Sequence, residues 1–347
     1  MEFDPAANAL VCKYCGTKTQ IRREDATPEG VPELDFEKYA VGKGDLQPVS
    51  DKALQVTCNS CGASVQFEPP DVAGACPFCS AKIVAQAVSA DPLIAPQGLL
   101  PFSLAKTQAS STVGTWLQSR WFAPNGLKKV ARPDGLEGVY VPFWSFDSTV
   151  LSDYHGERGE YYYTQEEVLV NENGRQVRRT QQVRHTRWYP AQGHVETKFD
   201  DLLQPASKAI DGKKLANLEP WDLQQLEAYE PAYLAGFKAQ RYQVELPAAF
   251  ELAKAQMQPA IAHNVQQDIG GDEQRIHDIE SQYQDVTFRH LLLPVWIGAY
   301  KFQDKVFQIT VNARTGEVQG ERPYSVIKIL LFVFAILIIA LIFGRSN

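Results

Sequence analysis

Six cysteines in 347 residues fall into three Cys-x-x-Cys pairs, Cys12/Cys15, Cys58/Cys61 and Cys76/Cys79. No other feature constrains the chain as strongly, because two residues between thiols let one tight turn aim both sulfurs at a single ion. The second and third pairs together read C-x2-C-x14-C-x2-C, the spacing of a four-thiolate zinc ribbon. Gly16 and Gly62 follow their knuckles and free the turn for positive φ. Structural disulfides compete poorly in a reducing cytosol. A redox pair would sit at a helix start in a βαβ setting that the sequence does not show. The predicted ion is a structural Zn2+ on Cys58, Cys61, Cys76 and Cys79, since four protein thiolates close the site.

The first pair belongs to an internal repeat. Phe3-Asp-Pro…Cys12-Lys-Tyr-Cys15 aligns with Phe67-Glu-Pro…Cys76-Pro-Phe-Cys79, with the same offset from Phe to knuckle and an aromatic inside each knuckle. The repeat predicts a second metal site of which Cys12 and Cys15 are half, with the front knuckle expected upstream of Met1. The alternatives are a degenerate metal-free knuckle, or one completed by a second subunit.

The run Val326–Phe343, VIKILLFVFAILIIALIF, carries Lys328 as its only charge. Eighteen residues at 1.5 Å reach about 27 Å, near a bilayer core of roughly 30 Å. The run therefore predicts a single C-terminal transmembrane anchor, with Lys328 snorkelling to the headgroups. The N-terminus is polar and acidic, so the body is expected on the cytoplasmic side of a bacterial inner membrane. Arg322 and Lys328 weakly support that orientation, and Arg345 beyond the run reduces the asymmetry. A net charge of −7 argues against a protein whose main task is coating nucleic acid.

The predicted organisation is a half ribbon at 1–21, a linker with a short helix at 22–53, a four-Cys ribbon at 54–85 and a linker at 86–101. An α+β body follows at 102–322, and then the anchor at 326–343. Within the body Ser103 is predicted to cap a helix reaching Arg120, on which Val113, Trp116 and Leu117 share a face. Tyr161–Val170 and Arg175–Tyr189 form a hairpin through Asn171-Glu-Asn-Gly174. Helical pieces cover Pro220–Tyr242, and a helix over Pro247–Asp268 is kinked or interrupted at Pro259 and ended by Gly270-Gly271. Leu291–Phe302 and Lys305–Val311 close the body as two strands turned at Gln303-Asp304.

No P-loop, G-x-S-x-G, H-E-x-x-H or G-x-G-x-x-G motif occurs, and no two of the six histidines stand at i,i+4. Acid pairs such as Glu166-Glu167 and Asp200-Asp201 are acid/base candidates in principle, although neighbours on a strand point to opposite faces. The expectation is a non-enzymatic protein. One patch stands out: Arg175, Arg178, Arg179, Arg184 and Arg187, followed by Trp188-Tyr189, which could grip nucleic acid or anionic headgroups. Strand alternation places Arg175, Arg179 and Arg187 on one face and Arg178 and Arg184 on the other. Glu166, Glu167 and Glu172 on the facing strand can pair with them.

The chain resembles a bacterial family of membrane-anchored zinc-ribbon proteins that carry the label primosomal protein N′ (replication factor Y)-like superfamily II helicase. The resemblance rests on the Phe-Asp-Pro…Cys-x-Tyr-Cys-Gly start, Cys76-Pro-Phe-Cys79, Gly138-Val-Tyr-Val-Pro-Phe-Trp144, Trp188-Tyr-Pro-Ala…Gly193 and Phe199-Asp-Asp-Leu. It continues through Leu293-Pro-Val-Trp296, Val311-Asn-Ala-Arg-Thr-Gly-Glu317 and Gly320-Glu-Arg-Pro-Tyr-Ser. The family has two ribbons, and this chain departs from it by lacking the first knuckle. Helicase motor motifs are absent. Some members are associated with SPFH (flotillin-like) and phage-shock (PspA-type) envelope-stress systems, which implies protein partners of that kind. The function expected from these readings is an adaptor recruiting cytosolic or membrane-associated proteins to the inner membrane. The alternative is a nucleic-acid-binding accessory of DNA replication or repair.

Overall fold

The computed structural model describes residues 1–21, 30–42, 44, 54–58, 64–67, 73–76, 82–84, 94–130, 135–172, 175–302 and 305–344. The predicted turns at Asn173-Gly174 and Gln303-Asp304 lie outside them. Among the described residues the fold is mostly β, and this corrects the α+β expectation.

The chain opens with a three-stranded antiparallel sheet, β1 (Glu2–Asp4), β2 (Ala9–Val11) and β3 (Lys18–Thr19). A short strand β4 (Leu34–Asp35) leads into α1 (Phe36–Ala40), whose first turn is capped by Asp35 accepting from the Lys38 N–H at 3.0 Å. The pairs β5 (Leu54–Thr57) with β6 (Ser64–Phe67) and β7 (Ala73–Ala75) with β8 (Lys82–Val84) follow. After β9 (Gly98–Leu99) come α2 (Lys106–Ser119) and α3 (Asn125–Val130). Two very long strands succeed them, β10 (Glu137–Glu172) and β11 (Arg175–Pro205). Then come α4 (Gly212–Ala216), β12 (Glu227–Ala228), β13 (Lys238–Ala239), α5 (Leu246–Ile269), β14 (Glu273–Phe302), β15 (Lys305–Asn312), β16 (Val318–Gly320) and α6 (Val326–Gly344).

The main sheet runs β11-β10-β14-β15-β16, antiparallel throughout. Helix α5 lies along it. Leu246, Ala249, Phe250, Ala253, Met257, Ile261, Val265 and Ile269 are buried at the three- and four-residue steps that define one helix face. The first six meet Trp144, Phe146, Val150 and Phe288 of the strands, and Val265 and Ile269 meet Tyr154. Pro259 does not interrupt the helix: it and Ala255, whose carbonyl it leaves without a donor, are both exposed, so water can serve that carbonyl.

The stretch expected as β14 is much longer than its apolar end, because Glu273–His290 is polar on one face and carries Ile276, Ile279, Tyr283 and Val286 toward α5 on the other. Pro220–Tyr242 holds two 3-10 turns and two short strands in place of helical pieces. Ser103 is not the cap of α2. Its hydroxyl donates to the Ala313 carbonyl, and Gln108 Oε1 accepts from the Ala105 N–H at 2.8 Å. The expected linkers partly join the core: Phe36 packs on Phe250 at 4.5 Å, Tyr39 on Phe288, and β9 pairs with β12 and β14.

The apolar run does form a helix, α6, but its first turn is fastened to the body. Lys328 Nζ donates to the Ala123 carbonyl at 2.8 Å and to Asn125 Oδ1 at 2.7 Å, Ser325 N–H donates to Phe122, and Phe332 meets the Phe122 ring. Lys328 therefore caps backbone carbonyls between α2 and α3 instead of reaching for headgroups. Among the described residues no helix is long and apolar enough to cross a membrane. That finding overturns the predicted transmembrane anchor and the inner-membrane localisation built on it.

Candidate functional site

The third strand decides where the sheet ends and an arm begins. β14 accompanies β10 only from Glu137 to Gly159, whereas β11 accompanies it to Glu172. From Glu160 to Glu172, paired with Arg175 to Arg187, the chain is a two-stranded ribbon, which at about 3.4 Å per residue reaches about 40 Å. Its root is fastened at the α5–β14 junction. Asp272 N–H donates to the Gly159 carbonyl, and Asp272 Oδ2 accepts from the Tyr161 N–H at 2.7 Å. The Tyr161 hydroxyl donates to Glu273 at 2.8 Å. Gly159 leaves room for the Trp188 ring directly opposite it, since a Cβ there would stand 2.9 Å from the indole. The Arg275 guanidinium lies over that indole at 3.7 Å.

The register assigns the arginine patch to faces as alternation requires. In the register Arg175, Arg179 and Arg187 pair with Glu172, Val168 and Glu160, and Arg178 and Arg184, paired with Leu169 and Tyr163, lie on the face opposite to Arg179 and Arg187. Cross-strand ion pairing accounts for part of the patch: Arg178 stands 3.7 Å from Glu167, and His185 Nε2 lies 2.9 Å from Glu166. Arg184 lies over Tyr161 at 4.2 Å and Arg187 over Tyr162 at 5.0 Å, each guanidinium on a ring of its own arm. Tyr163 and Leu169 are 57% and 63% exposed. Beside the root is an open cleft of about 550 Å³ lined by Tyr154, Arg158, Glu160, Tyr189, Gln192 and Asp268. There the Tyr154 hydroxyl donates to Asp268 at 2.6 Å, and burial, followed by that carboxylate, pushes the phenol up to about 12.

A second polar cluster lies further back along the same strands, where both neighbours of β10 bulge. The register shifts between Phe146 and Ser148 against β11 and between Asp147 and Thr149 against β14. The extra residues Asp201 and Asp285 take φ of +55° and +50°, a left-handed conformation that aspartate tolerates better than most side chains. The bulges gather Asp147, Asp201, Arg289 and Glu33. Arg289, largely buried, pairs with Asp201, which also accepts from the Ser145 hydroxyl at 2.8 Å. Glu33 accepts from Thr287 at 2.7 Å and meets the Asp147 carboxyl. Burial and then the Glu33 carboxyl push Asp147 up to about 7, against the pull of the Asp201 N–H. Glu33 sits below the ordinary range despite burial, held there by Thr287, Asp147 and Arg289. Below about pH 7 the pair shares one proton, favoured on Asp147, and the pair ties the bulge that aims the strands. Asp201 belongs to an acid pair visible in the sequence; Asp147, Glu33 and Arg289 are brought to it only by the bulged register.

The three knuckles share one layout. A strand ends one residue before the first cysteine and the next begins three after the second: β2 and β3 about Cys12/Cys15, β5 and β6 about Cys58/Cys61, β7 and β8 about Cys76/Cys79. In the first, Gly16 N–H donates to the Cys12 carbonyl at 2.8 Å and Gly16 has φ +71°. The Cys15 thiol, 3.1 Å from the Thr17 hydroxyl, is drawn down to about 7 by that contact. Cys12 and Cys15 supply two donors where a tetrahedral site needs four. Cys58 and Cys76 are buried in one core cluster, and Cys61 and Cys79 lie outside the described residues. Among the described residues no group of three or more His, Cys, Asp or Glu could hold a metal ion. The described residues thus give the expected zinc-ribbon fold no metal-binding group of their own, and Cys61 and Cys79, the other two predicted ligands, lie outside them.

No protein-family model matches the chain. It is similar to an uncharacterized protein of Bacillus subtilis (strain 168), YdjG, with 26% identity over 237 residues. The match covers 67% of this chain and 65% of the relative, so the chain spans just under two thirds of that protein's length. No solved structure matches.

Proposed function

We propose that this chain is a binding protein, an adaptor without a reaction of its own, and that the arm from Glu160 to Arg187 is the element with which it takes hold of a protein partner. One observation carries the reading: among the described residues a ribbon about 40 Å long leaves the sheet beyond Tyr161 with no further strand on either edge and with Tyr163 and Leu169 exposed. Exposed tyrosine flanked by arginine is the composition of protein-binding surfaces. Five arginines stand against four glutamates along the arm, so its field is nearly balanced, which suits a mixed-charge protein surface better than a phosphate backbone.

The test compares the full chain with a variant in which residues 161–186 are replaced by an Asn-Gly turn. Partners cross-linked to the full chain in cells are expected to be lost from the variant, while urea unfolding of the body is retained. Unchanged partners in the variant would refute the role of the arm. Salt-dependent DNA binding by the full chain, abolished by Arg178→Ala/Arg179→Ala, would move the reading to a nucleic-acid accessory.

A further inference from the structure

The two edges of the arm are chemically opposite. From Glu160 to Glu172, β10 carries four glutamates and no lysine or arginine, and from Arg175 to Arg187, β11 carries five arginines and no acid. Natural edge strands are commonly blunted by proline, lysine or a bulge. Neither strand of the arm contains proline or lysine, and its register runs unbroken from Glu160 to Glu172. Among the described residues, β10 beyond Tyr161 has β11 as its only strand neighbour.

The direction of the outward backbone groups follows from the root. Tyr161 N–H and the Gly159 carbonyl point away from β11, since both bond to Asp272. Groups alternate along an antiparallel strand. Tyr163, Gln165, Glu167 and Leu169 therefore present N–H and C=O on the open edge of β10. By the same alternation Arg178, Thr180, Gln182 and Arg184 present theirs on the open edge of β11.

We propose that these edges join between copies of this chain: β10 of one arm pairs antiparallel with β11 of the next copy's arm, with Glu166 opposite Arg179 and Glu167 opposite Arg178. This register satisfies two independent conditions. It makes Glu167 and Arg178 a hydrogen-bonded pair, as the outward groups of both strands require. It also sets both members of the acid doublet against both members of the arginine doublet. Within one arm the doublets are offset, Glu166 facing Gln181 and meeting His185, and Glu167 facing Thr180 and reaching Arg178 only diagonally at 3.7 Å, so the new register exchanges these contacts for directly opposed pairs. Joining β10 to β10 would oppose glutamates, and joining β11 to β11 would oppose arginines, each unfavourable. The pairing is head-to-tail, so it builds a ring or an open row of arms. The inference rests on the reading of the arm as the docking element and names a second copy as its occupant.

The experiment mixes 14N- and 15N-labelled full chain carrying a photo-cross-linking residue at Gln165. In the proposed register this position faces Thr180 of the other copy, whereas within one arm it faces Gln182. Mixed-isotope cross-links landing between Arg178 and Gln182 are the expected result. Glu166→Arg/Glu167→Arg alone, and Arg178→Glu/Arg179→Glu alone, should each cut mixed links about tenfold, the effect of removing two cross-strand ion pairs and adding repulsion. Mixing the two variants should restore the links, an outcome that a merely unfolded arm cannot give. Links confined to a single isotope, or mixed links that survive either reversal alone, would overturn the proposal. Loss of other partners on removal of the arm, with no mixed links, would sink self-pairing and leave the arm's role as a docking element standing.

Discussion

The backbone N–H of Asp201 donates to Asp147 Oδ1 across 2.6 Å, joining the left-handed residue of the β11 bulge to the carboxyl that shares a proton with Glu33. The bulge, the buried Arg289 and the titration of Asp147 are thus one mechanical unit. Its pH dependence has a definite sign. Asp147 is raised from 3.8 to about 7 in the fold, so the native state holds a proton that the unfolded chain releases. Its contribution is complete below pH 3.8 and is lost as pH rises through 7. Asp147→Asn keeps an uncharged polar side chain and removes this slope. Urea midpoints between pH 4 and 8 should fall with pH in the parent relative to the variant; parallel curves would contradict the shared proton.

Asp201→Ala removes the nearest carboxylate from Arg289, whose side chain is only 11% exposed and keeps Glu33 at 3.9 Å, and also removes the acceptor of the Ser145 hydroxyl. Breaking a buried ion pair from one side costs about 3 kcal/mol, and the partial exposure of Asp201 lowers that figure. A loss of about 2 kcal/mol in urea unfolding is expected. Arg289→Met in the same background should recover part of it, because the buried charge left with only the more distant Glu33 is then gone. A double variant no better than Asp201→Ala would show that the ion pair is not the source.

How much of this was legible follows from which contacts are local. The face of α5 and the alternation of the arm arginines are periodic, so they can be read from spacing alone. The spacing of the Cys-x-x-Cys pairs is also local, and in each case a strand ends one residue before the first cysteine and another begins three after the second. The cluster about Asp147 could not be read, because it depends on bulges that bring Glu33, Asp147, Asp201 and Arg289 together from four separate segments. The tail misled for a physical reason. Hydropathy reports the run but not the hydrogen bonds by which Lys328 and Ser325 fasten its first turn to Ala123, Asn125 and Phe122. The polar half of β14 was missed because only one face of it is apolar.

His290 gives a slope of the opposite sign. It is buried between Trp144 and Tyr242, with Nδ1 2.9 Å from the Ile94 carbonyl, and burial drives it down from 6.5 to about 4. Below pH 6.5 the unfolded chain takes up a proton that the native state refuses, so stability falls as pH drops toward 4. His290→Phe keeps the ring packing, loses the bond to Ile94 at a cost of about 1 kcal/mol at pH 7, and abolishes that acid-side slope. Because Asp147 acts in an overlapping range with the other sign, each slope is read as variant against parent. An unchanged acid limb in His290→Phe would refute the assignment.

Two glycines separate the packing of the arm's root from the general effect of adding a methyl group. At Gly156, β14 carries an extra residue between Ile276 and Asp278, and a Cβ would stand 2.3 Å from the Arg275 carbonyl and 3.2 Å from Ile269 at the end of α5. The obstacle is backbone, which cannot rotate away, so Gly156→Ala must push β14 from β10 at the level where the arm begins. A loss of about 2–3 kcal/mol is expected from such overpacking. Gly126 lies exposed in α3, and a Cβ there meets nothing closer than Phe302 at 3.6 Å. Gly126→Ala should therefore stabilise by about 0.5–1 kcal/mol through helix propensity and a stiffer unfolded chain. Urea midpoints of the two variants should thus move in opposite directions. In Gly156→Ala, hydrogen exchange should also quicken at Gly159 and Tyr161, where Asp272 fastens the root, if the close approach of β10 and β14 is what holds the arm in place.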